Sequence, residues 1–248
     1  MSLYHLINCR NKILLLISFT IVFSVSSIFP QSNPEQLKEK VIQNISGYYP
    51  DEFDVTVDQS GAVTVSGEVN TLFDKLKITE LISRVNGVSK INNIIEIQTE
   101  PTVDEEIKAN IEEELKLNNV ILEPDKINVE VKNGVVYLTG TVSYFREKLM
   151  AQTIASWQNG VTDMKSSIKV LSPKVAQSDD NLYTIINDIL KNRFGLEDKV
   201  KFNVDGGVVD LLGSVKSLYA KDKIAEEIQQ IIGVKKVLNE LSVEQSWD

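Results

Sequence analysis

Asn133-Gly134-Val135-Val136-Tyr137-Leu138-Thr139-Gly140 reads as a glycine-bearing turn feeding a strand that ends in a second glycine. The same phrase stands earlier as Ser60-Gly61-Ala62-Val63-Thr64-Val65-Ser66-Gly67 and later as Gly206-Gly207-Val208-Val209-Asp210-Leu211-Leu212-Gly213. Gly61, Gly134 and Gly207 lie 73 residues apart, and Gly67, Gly140 and Gly213 keep that interval, as do Gly87, Gly160 and Gly233. An interval held at several positions marks tandem copies of one supersecondary unit.

Working outward, apolar residues alternate on both sides of each turn: Val55 and Val57 with Val63 and Val65, Val129 and Val131 with Val136 and Leu138, Phe202 and Val204 with Val209 and Leu211. That pattern predicts an antiparallel hairpin with one buried face. The first turn, Asp58-Gln59-Ser60-Gly61, is one residue longer than Lys132-Asn133-Gly134 and Asp205-Gly206-Gly207, a change that a loop tip tolerates. Before each hairpin, apolar residues four apart (Leu37, Val41, Ile45; Ile107, Ile111, Leu115; Leu182, Ile186, Leu190) predict a first helix. Asn33 before Pro34 suits a helix start, and Thr102 with Glu105 fits a capping box. After the hairpin, Ile78, Ile82 and Val85, like Ile224, Ile228 and Ile231, predict a second helix that ends at the Gly87, Gly160 and Gly233 positions. A last strand carries Ile95 and Ile97, Ile168 and Val170, Leu241 and Val243 on its inner side.

The fold class is therefore α+β: three tandem αββαβ domains, each with two helices packed on one face of a three-stranded mixed sheet. Their expected bounds are 33–99, 102–171 and 178–245, with proline seams at Pro101 and Pro173. Domains this small bury limited area, so contacts between them are expected.

The N-terminus has a different character. Arg10 and Lys12 precede Ile13 to Phe29, an uncharged stretch with 12 apolar residues among 17, followed by Pro30. Charge, apolar core and the small residues Ser24 and Ser26 occur in the order of a cleavable secretory signal peptide. An uncleaved anchor is the second choice, since a spanning helix needs about 20 apolar residues. Residues 1–32 are assigned to the signal peptide, with cleavage between Ser26 and Ser32. Its loss takes the basic-to-acidic balance from 26 against 35 to 24 against 35, a net of -11. Such an acidic chain is a poor partner for nucleic acid, which needs basic side chains to displace phosphate counterions. His5 and Cys9, the sole histidine and cysteine, leave with the signal. Histidine acid-base catalysis, thiol chemistry and the usual zinc sites are thereby excluded from the mature chain. No cofactor and no metal site is expected.

Each cluster that could carry chemistry has a plainer reading. Glu112-Glu113-Glu114 and Asp179-Asp180 sit on the polar side or at the start of first helices, where acids favour the helix dipole. Asp51, Glu52, Asp54 and Asp58 lack the loop pattern of a calcium site. Gly206-Gly207 joins two strands and opens no helix, so it reads as a turn instead of a phosphate cradle. No nucleophile and base pair is discernible, and an enzyme is not expected.

The residues resemble the BON domain, the bacterial osmotic-protein and nodulation module. Unit three carries its closing pattern as Gly233, Val234, Val237, Asn239, Leu241 and Val243, and unit one as Gly87, Val88, Ile91, Asn93, Ile95 and Ile97. Unit two departs, with Met164 for the valine and Ser166 for the asparagine. The resemblance implies a non-catalytic bacterial envelope protein of a family linked to phospholipid surfaces, envelope integrity, osmotic stress and protein contacts. The implied location is the periplasm, and the expected partner is membrane phospholipid first, with a protein-protein role as a chaperone-like or scaffold component as the alternative.

Two sets of residues are candidates for binding. Lys75, Lys148 and Lys221 recur at one repeat position and could meet lipid phosphates, although lysine on an exposed helix is ordinary. Unit two places Met150, Thr153 and Trp157 where unit one has Lys77, Glu80 and Arg84 and unit three has Lys223, Glu226 and Gln230. An apolar pair on a face that the sister units keep polar needs cover. Either a neighbouring unit supplies it, or a membrane interface or another protein does.

Overall fold

A computed structural model describes residues 33–50, 53–171 and 177–244. The signal peptide, the Pro173 seam and the acidic pair Asp51-Glu52 lie outside the described residues. Repeat one runs α1 (Pro34–Ser46), β1 (Asp54–Val57), β2 (Ala62–Ser66), β3 (Glu68–Val69), α2 (Leu72–Ser83), β4 (Lys90–Asn93) and β5 (Glu96–Ile97). Repeat two runs α3 (Asp104–Leu117), β6 (Ile127–Lys132), β7 (Val135–Val142), α4 (Phe145–Trp157), β8 (Asp163–Ser166) and β9 (Lys169–Val170). Repeat three runs α5 (Asp179–Ile189), β10 (Val200–Asp205), β11 (Val208–Val215), α6 (Leu218–Gln229) and β12 (Lys236–Val243).

Each repeat is the αββαβ unit read from the sequence. β1, β6 and β10 pair antiparallel with β2, β7 and β11, which pair parallel with β4, β8 and β12. Pairing then continues as β3 with β5 and as β7 with β9. Three cores result, one per repeat, built from the first-helix stripe, the second helix and the inner residues of the sheet. The glycine that follows the central strand pattern has a steric reason. A Cβ on Gly140 would lie 2.0 Å from the Lys126 carbonyl oxygen, and one on Gly213 would lie 2.1 Å from that of Lys199. Only glycine allows the hairpin strands to approach this closely at positive φ.

The asparagine of the closing pattern also acquires a cause. Asn93 Nδ2 donates to the Lys75 carbonyl at 2.9 Å and to Thr79 Oγ1 at 2.8 Å, while its Oδ1 accepts from the Ile95 amide at 3.0 Å. Asn239 repeats the arrangement, donating to the Lys221 carbonyl at 2.9 Å and accepting from the Leu241 amide at 3.3 Å. This side chain ties the last strand to the second helix. Ser166, which replaces it in repeat two, has a buried hydroxyl with no hydrogen-bond partner among the described residues.

Two helix-terminus expectations are corrected. Thr102 and Glu105 form no capping box: α3 starts at Asp104 after Val103, and Thr102 Oγ1 donates to the Glu100 carbonyl instead. Asp104 turns its carboxylate to the hairpin turn, accepting from the amides of Asn133 at 2.7 Å and Gly134 at 2.9 Å. Asp179 accepts from Gly206 and Gly207 at 2.8 and 2.9 Å in the same way. Those turn amides hold the repeat's own carboxylate. Repeat one has Pro34 at the matching helix position, and its longer turn closes on Asp58, whose Oδ1 accepts from the amides of Ser60 and Ala62. The second helices also stop short of the expected glycines, at Ser83, Trp157 and Gln229. Gly87, Gly160 and Gly233 serve the following turn, with φ of +91°, +85° and +101°.

Candidate interaction surface on the second helices

The second helices α2, α4 and α6 begin alike in register, but their caps differ. Thr71 Oγ1 accepts from the Asp74 amide at 3.1 Å, and Ser217 Oγ accepts from the Ala220 amide at 3.1 Å. Repeat two has Tyr144 at that place, and Glu147 reaches back to the Tyr144 amide at 2.9 Å. Its other oxygen accepts from the Leu122 amide at 3.0 Å, and the residue is only 1% exposed. In repeat one the matching residue, Asp74, accepts from the Tyr49 hydroxyl at 3.0 Å and from Thr71 Oγ1 at 2.6 Å. Burial, with the bond to Asp74 and the charges of Asp74 and Glu80, pushes the Tyr49 hydroxyl up to about 12.

With their N-termini fixed in this way, α4 and α6 lie against neighbouring strips of α2 that share Leu76 and Glu80. On one side Leu149, Gln152, Thr153, Ser156 and Met164 of repeat two border a groove of about 350 Å³. Phe73, Leu76, Lys77 and Glu80 of α2 form its other wall. On the adjoining strip, Leu76, Thr79, Glu80, Ser83 and Ile91 of repeat one border a groove of about 430 Å³. There the opposing wall is Leu218, Tyr219, Asp222, Lys223 and Glu226. Trp157 meets the Phe73 ring edge-on at 5.0 Å between centroids. Leu72, 5% exposed, belongs to the core of repeat two, and Leu218 packs against the core of repeat one.

The electrostatics of the second groove are dominated by carboxylates. Glu80 accepts from Lys77 at 2.9 Å and from Arg84 at 2.5 Å. Burial opposes its ionisation, yet the hydrogen bonds and charges of Lys77 and Arg84 hold its carboxyl below the usual range. Glu226 is held by Lys223 at 2.9 Å and by Gln230 at 3.3 Å. Burial pushes the Asp222 carboxyl up, against the opposing charge of Lys221. Three carboxylates line this groove beside one lysine, a poor setting for a lipid phosphate.

The residues singled out from the sequence are distributed over these contacts. Trp157 lies against repeat one and remains 52% exposed. Thr153 borders the groove with α2 and donates to the Leu149 carbonyl at 2.9 Å. Met150 is half-buried against the core of its own repeat. Lys75, Lys148 and Lys221 stand one per repeat on the second helices, each half-buried, and the carbonyls of Lys75 and Lys221 receive the asparagine bond. Sequence reasoning missed Phe73, Tyr219, Leu72 and Leu218. Their signal was an aromatic and a leucine at the first turn of a helix, beside positions that face water. Among the described residues, no helix is long and apolar enough to cross a membrane, and no three His, Cys, Asp or Glu residues converge as a metal site would require.

Tandem αββαβ units with the glycine, valine and asparagine positions above define a class of small α+β modules. The BON domain family model matches residues 33–99, 103–172 and 178–245, and the chain belongs to that family. It is 28% identical over 125 residues to a protein of Anaplasma centrale described as "Uncharacterized protein in gshII 5'region", a match covering 48% of this chain and 83% of that protein. Among solved structures it is similar to the C-terminal domain of CdsD, a structural protein of the type III secretion system of Chlamydia trachomatis. That likeness has 15% identity and a TM-score of 0.24, covering 84% of this chain and 97% of the other. The PrgH periplasmic domain gives 10% identity and a TM-score of 0.20, with 83% and 99% covered. TM-scores this low carry no argument about what the chain does.

Proposed function

We propose that this is a non-enzymatic, exported envelope protein that works by docking, its domain faces binding protein surfaces as a scaffold component. The observation that carries the reading is the second helix of repeat one, whose exposed face takes the second helices of both other repeats on neighbouring strips. A face that already binds other BON domains is a protein-binding face. Apolar residues at the edges of these contacts, with carboxylates held by neighbouring cations, favour protein over phosphate. Cross-linking mass spectrometry on intact cells tests it: cross-links to one envelope protein should concentrate on α4 and α6. Cross-links scattered evenly over the three repeats would count against it.

A phospholipid reading has its own support in repeat two, where Leu117 is 68% and Leu122 55% exposed and Trp157 keeps half its surface free. Adsorption would then rest on apolar insertion, because a net of -11 repels anionic lipid. Flotation with phosphatidylglycerol and phosphatidylethanolamine vesicles separates the two. Co-flotation abolished by Leu117→Glu with Leu122→Glu supports lipid, and protein left at the bottom of the gradient supports docking.

A further inference from the structure

The two contacts that join the repeats are one contact used twice. Shifted by the 73-residue register, Ser156 of α4 and Met164 of β8, which border the groove with α2, become Ser83 of α2 and Ile91 of β4, which border the groove with α6. Trp157 over Phe73 and Arg84 over Tyr219 are likewise the same pair of positions. So are Leu72 in the core of repeat two and Leu218 against the core of repeat one. Each repeat therefore has a presenting face, at the end of the second helix, and a receiving face, at its start. In space the order is two, one, three, with the presenting face of each repeat on the receiving face of the next.

Such a contact is heterologous, since different surfaces meet, and it does not close on itself. Two faces are left over. By the register, repeat two has receiving positions at Phe145, Arg146 and Met150, and repeat three has presenting positions at Gln230 and Val237 with Glu226, which also borders the groove with repeat one. The ring or side-chain partners seen for Arg146 and Gln230 lie in their own repeats, at Tyr144 and Glu226. Their charges are complementary: Arg146 stands where Phe73 and Tyr219 receive a neighbour, and Glu226, which also lines the groove with repeat one, accepts from Gln230 at the end that would cover it. We propose that these two faces bind each other between copies, so that the chain assembles head to tail into a ring or filament of BON repeats. This rests on the docking reading above and names the partner as a second copy of this chain.

The test uses the full chain with Cys9→Ser, which then has no cysteine. In that background Arg146→Cys with Gln230→Cys, treated with a short bis-maleimide, should give a ladder of dimers, trimers and larger species that grows with protein concentration. Phe73→Cys with Trp157→Cys, the corresponding pair inside the chain, should cross-link within the monomer. Sedimentation velocity of the unaltered protein from about 1 µM to about 1 mM, the range of weak association, should show mass rising with concentration. Arg146→Glu should lower that association at least tenfold, and Glu226→Arg in the same chain should recover it. A protein monomeric throughout the series, with no ladder, overturns the proposal. So does a dimer cross-linked by Arg146→Cys alone, which would mark a two-fold contact. If the monomer still yields cross-links to one envelope protein at α4 and α6 in cells, the docking reading stands and only self-assembly falls.

Discussion

The guanidinium carbon of Arg84 lies 4.4 Å from the ring centroid of Tyr219, and this contact joins repeat one to repeat three. The same arginine is held by Glu80, so its plane is fixed before it meets the ring. Cation–π contacts at exposed sites contribute about 0.5–1 kcal/mol. A double-mutant cycle of Arg84→Ala and Tyr219→Leu should return a coupling of that size in denaturant unfolding. Additive effects would mean that the stacking contributes nothing to the inter-repeat contact.

Trp157 occupies the Arg84 position one repeat on and meets Phe73. Trp157→Arg should therefore be tolerated, because arginine at this position stacks on the aromatic ring in the neighbouring contact. Trp157→Ala should lower stability by about 1–2 kcal/mol through lost packing, allowing for its exposed half. Equal losses for Ala and Arg would show that the indole acts by apolar area alone.

Ser166 is the position at which repeat two lacks the strand-to-helix tie. Ser166→Asn should restore the bond pattern seen at Asn93 and Asn239 and supply acceptors and donors where a buried hydroxyl now has none. A net gain of about 1 kcal/mol is expected, read as a higher denaturation midpoint with unchanged m-value. An unchanged or lower midpoint would mean that the sheet edge of repeat two cannot seat the larger side chain.

Much of this architecture is legible in the sequence because core positions obey two periods, four along helices and two along strands, and both recur at an interval of 73. What was not legible lies where repeats differ. Position 84 is Arg, its counterparts are Trp157 and Gln230, and the receiving position is Phe73, Arg146 or Tyr219. No single pattern marks both as contact positions, since cation–π and aromatic pairs fill one geometry with different chemistry. The capping box expected at Thr102 failed for a related reason. Asp104 is drawn to the amides of a turn 29 residues away, which no local motif announces.

Tyr49 gives the molecule a pH dependence at its alkaline limit. Its hydroxyl donates to Asp74, and its pKa is raised from 10.0 to about 12 by burial, that bond and nearby carboxylates. A raised folded-state pKa means stability that is fully present below the unfolded value and lost as pH climbs through the folded one. The wild-type protein should thus lose stability between pH 10 and 12 through this group, and Tyr49→Phe should be less stable at pH 8 yet flatter over that interval. Parallel curves for the two proteins would exclude Tyr49 as the titrating group.

The last prediction concerns Glu147, a carboxylate almost wholly buried in repeat two. One oxygen holds the Tyr144 amide at the start of α4, and the other holds the Leu122 amide in the segment that follows α3. Repeat three has Ala220 at this place because Ser217 caps the helix with its hydroxyl, so the fold itself does not need an acid there. Repeat two, with Tyr144 at the cap position, uses Glu147 for the helix end and also for the preceding segment. Glu147→Ala leaves two backbone amides without acceptors, at about 1–3 kcal/mol for each that stays dry. The loss should be read by amide exchange as well as by unfolding, with protection falling at both Leu122 and Tyr144. Adding Tyr144→Ser should return a hydroxyl cap to α4 and recover roughly 1 kcal/mol. Leu122 should stay unprotected in that double variant, because the serine caps the helix and does not reach the other segment. Restored protection at Leu122 would mean that its amide depends on the helix end and not on the Glu147 oxygen it faces.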